Sequence, residues 1–528
     1  MLAGLALAVR VAHIGILSGH PLFDAPVIDA RWHHLWAGLV ADGSPLAYAP
    51  FFRAPLYPWL LGALYSVTGT SIAAGVLLSA LIAATSTALL HRAALRAAGP
   101  TAAAVCAALW AVWGTDVLLS TSLLITPLYI LLLLAAFLAA EARRTSSWPL
   151  LGLAAAARPT ALLALPALWV GHRPGIRAAL LFAVPILAVW GANALSGDPL
   201  TVLSSQGGVN LYIGNGPDAD GVTAFAPVPA DSISVDTGGM PYSDNVQMAA
   251  LAGYRAAGGS RSASPSAVSS WWTGRTLSHV VSRPLRWLGL EARKLLFLLS
   301  PVEVPSNYDP YYMRELSPVL AILVWPPPLS APLLLLWLLV PGALAVTLRG
   351  GASRTAMLAL AWAGLLALAP MLFFVTARMR LPMVPFLLLW AVACASRSPG
   401  LSLKLAPAGL AAAVLLSLAT AGGGRSAGVN MEFYDGLAHY RAGRPAEARE
   451  LFLQAVQRGS DTQAYDLNRT EAMYNLGLLA AREGRWEEAA SWWRAVLRSR
   501  PGHRGAGRAL DLLHGEGGSG VDPCGRGG

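Results

Sequence analysis

Through its first 420 or so residues the chain alternates long apolar runs with short polar breaks. A helix needs about 20 apolar residues to cross a hydrocarbon core of about 30 Å, and runs of that kind recur near 72–95, 118–140, 177–194, 331–348, 355–375 and 405–421. Shorter apolar runs at 101–115, 149–157, 160–171 and 382–396 predict tilted or broken spans, which are tolerated where they line a protein-enclosed cavity rather than lipid. With the first apolar stretch, residues 1–19, the pattern predicts an all-α polytopic membrane helical bundle of about 11 spans. That first stretch lacks a basic n-region, carries Arg10 inside it and offers no small-residue cleavage site, so it reads as a retained signal anchor.

After Gly422 the pattern changes to a charged, Ala-rich helical one that runs to Leu513. Within it Gly436, Gly443, Ala448, Phe452 and Ala455 recur as Gly477, Gly484, Ala489, Trp493 and Val496, and Pro501 closes the second copy. This small and large alternation is that of tetratricopeptide helix pairs. The copies stand 41 residues apart against a usual period of about 34, which predicts an insertion around Ser460 to Asn468. The expected organisation is a membrane domain over 1–424 with external loops at about 20–70 and 195–330, a small α-solenoid over 430–513, and a Gly-rich disordered tail over 514–528. Two repeats make a marginal solenoid, so they are expected to lean on the membrane domain, on another copy or on a protein partner.

Composition agrees with the pattern: of 528 residues 55% are hydrophobic and only 12% charged, with a mean hydropathy of +0.52, far from a soluble chain. Arginines and lysines of the short loops (Arg92 with Arg96, Arg143 with Arg144, Arg173 with Arg177, Arg349 with Arg354, Arg397 with Lys404) fall on one side of the predicted topology. The positive-inside rule makes that side the cytoplasm. The segment from Asp24 to Pro58, the loop from about 195 to 285 and everything after 422 then lie outside. Much of the net charge of +10 is therefore orienting arginine, and no basic, aromatic-interleaved module suggests nucleic acid. Three cysteines, Cys106, Cys394 and Cys524, give no disulfide framework, and no metal-ligand spacing or redox motif stands out. No cofactor is expected, with a divalent cation left open.

Only 15 of the 28 acidic residues precede residue 424, which gives weight to each external carboxylate. Asp29 opens an amphipathic helix on which Asp29 and His33 share a face at i and i+4, with Trp32 and Trp36 beside them. This is either a reactive carboxylate or an acid favoured by the helix macrodipole. Further on come Arg53 with Pro55-Leu56-Tyr57-Pro58, Ala157-Arg158-Pro159-Thr160, the string Gly207 to Asn215 (GGVNLYIGN), Glu303 to Tyr308 (EVPSNY) and Thr376 to Pro382 (TARMRLP). An arginine at membrane depth on the external side wants an anion or a snorkelling path. Arg378 and Arg380 break the positive-inside tendency, and their planar forks suit phosphate oxygens. Paired glycines with Asn210 and Asn215 suggest tight turns whose amides bind sugar hydroxyls or phosphate.

In these strings, over about residues 20–400, the chain resembles the polytopic glycosyltransferases of the C superfamily, in particular the family-39 protein mannosyltransferase and aminoarabinose-transferase group. In that group an acidic residue on the first external loop precedes an aromatic residue and a PLYP-like segment, matched here by Asp29, Trp32 and Pro55 to Pro58. The resemblance implies a polyprenyl-phosphate sugar donor. It also implies substrate-binding roles for His33, Arg53, Tyr57, Arg158, Asn210, Tyr212, Asn215, Glu303, Arg378 and Arg380, with Asp29 as the catalytic carboxylate. The group commonly has a second acid near the external end of the fourth span, where this chain reads Leu123 to Pro127 with Thr126 in place of the acid. Asp116 is a weak substitute, and Asp24 is the other catalytic candidate.

The expected reaction holds the donor phosphate on Arg378 and Arg380, helped by Arg158. Asp29 takes the proton of the acceptor hydroxyl for in-line attack at the anomeric carbon with inversion. The acceptor is a protein, a lipid or a glycan. The expected setting is the bacterial inner membrane, with the active site and repeats on the periplasmic side and membrane lipid around the spans. Two rival classes are an envelope polysaccharide ligase or polymerase and a non-enzymatic membrane scaffold that recruits partners through its repeats. A transporter is disfavoured because the two halves show no paired broken helices.

Overall fold

The apolar runs fold as helices, and polar, glycine and proline positions decide where each one stops. The computed structural model describes residues 1–223, 245–426, 430–458 and 463–515, and among these there is no strand. The first half comprises α1 (Leu2–Leu17), α2 (Ile28–Ala41), α3 (Leu56–Thr68), α4 (Ile72–Ala111), α5 (Gly114–Ser120), α6 (Thr126–Glu141), α7 (Ser147–Ala157), α8 (Leu165–Gly171), α9 (Ile176–Leu195) and α10 (Gly207–Asn215). Then follow α11 (Asn245–Ala256), α12 (Pro265–Ser282), α13 (Pro284–Leu299), α14 (Pro310–Leu316), α15 (Pro318–Leu323), α16 (Leu333–Leu348), α17 (Arg354–Leu372), α18 (Ala377–Arg380), α19 (Val384–Ala395) and α20 (Pro399–Ser426). The C-terminal helices are α21 (Met431–Arg441), α22 (Pro445–Gln457), α23 (Gln463–Arg482), α24 (Trp486–Ser499) and α25 (Arg504–Gly515).

Five helices or helix pairs among the described residues are long and apolar enough to cross a membrane: α4, α9, α17, α18 with α19, and α20; α1, α6, α7, α8 with its preceding turn, and α16 are shorter apolar helices. The outer row of α9 (Ile176, Leu180, Val184, Leu187) and of α20 (Leu403, Leu415, Leu418) is exposed apolar surface. A helix in lipid can keep such a face, because its backbone bonds are satisfied internally. Helix α4 holds two of the expected runs. Gly99 sits at φ +83° ahead of Pro100, a left-handed position that favours glycine followed by a residue with no N–H to donate. The expected run 118–140 is broken in two, since α5 ends at Ser120 and α6 restarts at Thr126 with Pro127 in its first turn. Proline is tolerated there because the first-turn N–H groups have no intrahelical partner.

Arg10, the charge inside the first apolar stretch, is fully buried and ion-paired with Asp116 of α5. Its Nε also donates to Ser120 Oγ at 2.8 Å, and Nη1 donates to the carbonyls of Ala6 at 2.7 Å and Ala111 at 3.1 Å. A buried charge is tolerable when paired and hydrogen-bonded in this way. Asp116 is therefore committed to holding α1 against α5.

The repeat periodicity folds as read. Gly436 faces Phe452 and Gly477 faces Trp493 so closely that a Cβ would lie 2.7 Å from the Phe452 ring and 2.3 Å from the Trp493 ring. Gly443 and Gly484 both adopt φ +73° between the helices of their pairs. Helix α23 already runs from Gln463, so the later part of the expected insertion lengthens that helix; residues 459–462 lie outside the described residues, as does the tail from 516 onward. Helix α25 adds a third packing layer through the buried Ala506, Ala509 and Leu510.

Candidate active site

The first turn of α2 puts Asp29 and His33 on one buried face, as their i and i+4 spacing dictates. Arg53 reaches this face from the loop before α3, and its Nη1 lies 2.9 Å from Asp29 Oδ1. Arg378 comes from the one-turn helix α18 and donates to the other oxygen, Oδ2. Burial by itself raises the pKa of a carboxyl group, but the guanidiniums of Arg53 and Arg378 outweigh it and hold Asp29 well below the ordinary carboxylate range.

His33 Nδ1 lies 2.8 Å from the carbonyl oxygen of Leu123. A carbonyl only accepts, so Nδ1 carries the proton and Nε2 is left with the lone pair. Burial brings the His33 pKa down to about 4 against the opposing pull of Asp29, so the ring is neutral at ordinary pH.

These groups line a cavity of about 580 Å³, together with Arg158, Thr160, Gln206, Asn210, Ser306 and Asn307 and an apolar wall that includes Ile28, Ile125, Leu162, Leu203 and Phe374. Arg158 contacts the sulfur of Met379 and lies 5.9 Å from the centre of the Tyr129 ring. No carboxylate pairs with it among the described residues. Three guanidiniums therefore face one carboxylate, an excess of two positive charges in a largely apolar chamber. Such a chamber favours an anion with an apolar body.

Of the residues singled out from sequence, Asp29, His33, Arg53, Arg158, Asn210 and Arg378 line this cavity. Tyr57 stands one layer behind: its ring meets His33 edge-on with centroids 5.1 Å apart, and its hydroxyl lies 3.1 Å from Ser79 Oγ. Asp24 is exposed at the end of the short turn Pro21–Phe23 and does not line the cavity.

Arg380 points the other way from Arg378. It is buried, with Nη2 2.8 Å from Glu303 Oε2 and further bonds to the carbonyls of Phe297, Ser300 and Val302. Glu303 also accepts from Thr115 Oγ1 at 2.6 Å. This network, with Ala377 N–H on Val304 O at 2.9 Å, fixes α18 so that Arg378 can extend into the cavity. Glu303 and Arg380 therefore brace the wall and do not line the chamber.

The GGVNLYIGN string differs in structure from the tight turns expected of it. It forms α10, in which Gly208 and Gly214 have close backbone approaches: a Cβ would lie 1.9 Å from Ser269 O and 1.7 Å from Phe373 O. The glycines serve packing. Asn210 alone of the three polar positions lines the cavity. Tyr212 packs against Trp272, and Asn215 Oδ1 accepts from Lys294 Nζ at 2.8 Å and Trp287 Nε1 at 3.1 Å.

Asn307 was not singled out from sequence, although its segment was. It is buried, lines the cavity, and its Nδ2 has no hydrogen-bond partner among the described residues. Glu303 is the one charged residue of EVPSNY, so the sequence marks it and not Asn307.

Residues 52–169 match the family described as dolichyl-phosphate-mannose-protein mannosyltransferase, and residues 435–504 match the tetratricopeptide repeat. Both agree with the resemblance carried by the motifs, and the first supports a membrane glycosyltransferase. Arg53, Tyr57 and Arg158 fall within the first matched segment, and Asp29 and Arg378 outside it. Comparison with curated proteins and with solved structures gives no match.

Proposed function

We propose that the chain transfers a sugar from a polyprenyl-phosphate donor to an acceptor hydroxyl at the external, periplasmic face of a bacterial inner membrane, with residues 1–424 as the catalytic domain. The observation that carries this reading is the cavity in which Asp29 is held between Arg53 and Arg378, with Arg158 beside them. A polyprenyl-phosphate sugar is a phosphodiester with one negative charge, and the departing polyprenyl phosphate carries nearly two. An excess of two positive charges suits the product side of that change, which is where transition-state stabilisation is needed. The apolar wall suits the first isoprene units.

The sequence of events follows from the charges. In the resting site Asp29 is a poor base, because both of its oxygens are bonded to arginines. When the donor phosphate binds, it competes for Arg378 and Arg158, and Asp29 is released from part of its cationic surroundings. Its proton affinity rises, and it accepts the acceptor hydroxyl proton as that oxygen attacks the anomeric carbon. The carbon–oxygen bond to phosphate breaks on the opposite side, and the phosphate leaves on the arginines with inversion at the sugar. Neutral His33, fixed by Leu123, offers Nε2 as an acceptor for a substrate hydroxyl, and Asn307 offers a donor. The repeats suit an acceptor that is or accompanies a polypeptide, since stacked helix pairs commonly hold extended chains.

The test is release of polyprenyl phosphate from labelled polyprenyl-phosphate sugars by membranes bearing the wild-type chain or Asp29→Asn, in the presence of a membrane extract that supplies acceptors. Release by wild type that falls at least a hundredfold in the variant supports the reading. Equal release by both refutes it, and a purified scaffold that still recruits partners after Asp29→Asn would favour the non-enzymatic alternative.

A further inference from the structure

Away from the cavity, the turn that follows α1 meets the first helix of the repeats through three ligand-type side chains. His20 lies on that turn, and Asp435 and His439 stand one helical turn apart on α21, on one face by their spacing. One ligating atom from each lies within 4.8 Å of the other two. His20 Nδ1 is 3.8 Å and His439 Nε2 is 3.7 Å from the same oxygen, Asp435 Oδ1.

These separations are too long for hydrogen bonds, yet close to what two ligands of one ion require. In a tetrahedral zinc site, with metal–ligand bonds of about 2.0–2.2 Å, neighbouring ligand atoms stand about 3.3 Å apart. Asp435 is buried, and its Oδ1, the atom both imidazoles face, has no hydrogen-bond partner among the described residues. A buried carboxylate oxygen left in that condition asks for an ion or a water. The carboxylate is also held for the task, because the Tyr312 hydroxyl donates to its other oxygen, Oδ2, at 2.6 Å. An outer partner of this kind orients a metal-ligating carboxylate and leaves the inner oxygen free to ligate. The backbone N–H of Leu22 points at His20 Nδ1 at 3.3 Å, and because an N–H only donates, that nitrogen carries the lone pair a metal takes.

We propose that His20, Asp435 and His439 form a divalent-cation site of zinc type, completed by solvent, that clasps the repeat helices to the first external loop. The clasp sits nine residues before Asp29 in sequence, so it fixes the start of the segment that carries the catalytic carboxylate. The proposal is independent of the sugar donor and acceptor. It also revises the sequence reading, in which no metal-ligand spacing was apparent, because one ligand is more than 400 residues from the other two.

The test uses the full-length chain in detergent with zinc and cobalt as probes. The wild-type chain is expected to retain about one zinc after dialysis, to take up cobalt with the visible absorption of a tetrahedral site, and to gain thermal stability with zinc. His20→Leu and His439→Leu each lower zinc affinity at least tenfold and abolish the zinc-dependent gain in Tm. His439→Cys keeps cobalt binding and adds a thiolate-to-cobalt band absent from wild type. Should the leucine variants fail to fold, the cysteine variant decides: the new band supports the site, and its absence overturns it. Zinc or cobalt retention by a folded His20→Leu/His439→Leu double variant equal to wild type likewise overturns it.

Discussion

The guanidinium of Arg378 donates to Oδ2 of Asp29, joining α2 to a one-turn helix 349 residues later. On the proposed reaction the pair acts as a latch, which the donor phosphate opens by competing for Arg378. If Arg378 holds the donor phosphate as proposed, Arg378→Ala is expected to lower turnover by roughly 10²–10³-fold, the scale of losing one preorganised charge-stabilising donor. Arg378→Lys recovers only part, because a lysine cannot present a planar fork. Asp29→Asn with Arg378→Ala should cost much less than the product of the single losses, since the two act on one another. The measurement is a double-mutant cycle on polyprenyl phosphate release, and strict multiplicativity would sink the latch.

Arg380 follows a different rule, although it stands two residues from Arg378. Its ion pair with Glu303 is almost wholly buried, and removing one member of such a pair costs about 3–5 kcal/mol by stranding the other charge. Arg380→Met is therefore expected to lower Tm strongly and to reduce activity through loss of folded protein. Arg380→Met with Glu303→Gln should recover a large part of the stability. If Arg380→Met keeps the wild-type Tm while raising the donor KM, Arg380 is a direct phosphate ligand instead.

The contrast between these two arginines marks the limit of what the sequence reveals. The helical runs were legible because membrane helices announce themselves by composition over about 20 residues, and the repeat glycines because their period recurs. Asp29 with His33 was legible from i and i+4 spacing. The opposed directions of Arg378 and Arg380 were in principle legible too, since residues two apart on a helix do not share a face, but that inference requires knowing that ARMR forms a helical turn. The GGVNLYIGN string misled for a related reason: glycine signals both turns and close packing, and only the approach of Ser269 and Phe373 distinguishes them. Asn307 and the His20 cluster depend on contacts between distant segments, for which no local pattern exists.

Asn307 supplies a sharper test of the cavity as a substrate site. Its Nδ2 is a buried donor without a partner among the described residues, and a buried polar group of this kind costs about 1–3 kcal/mol unless a ligand satisfies it. Asn307→Leu is then expected to leave Tm unchanged or raised while the donor KM rises about tenfold, since 1.4 kcal/mol corresponds to one decade in binding. A variant with lowered Tm and unchanged KM would assign Asn307 to structure. Thermal unfolding and initial-rate kinetics on the same preparation separate the outcomes.

His33 gives the site a dependence on pH whose sign can be worked out. The folded chain holds its pKa at about 4, below the ordinary histidine value of about 6.5, because burial disfavours the charged ring. Between those values the unfolded chain binds a proton that the folded chain refuses, so stability rises with pH through this window and falls as the solution is acidified from about 7 toward 4. Asp29 does not contribute there, because its carboxyl is held well below the ordinary range and its linkage lies at lower pH, lost only as the pH falls through the carboxylate values. His33→Gln keeps a donor for the Leu123 carbonyl and removes the titration. The difference in Tm between wild type and His33→Gln is therefore expected to move in favour of the variant as pH is lowered from 7.5 to 5. Half-buried His20 and His34 also have lowered pKa values, and they cancel in this difference because both proteins carry them. A difference that stays flat across the window would mean that the His33 ring accepts its proton in the folded protein, and that the neutral acceptor assigned to Nε2 is wrong.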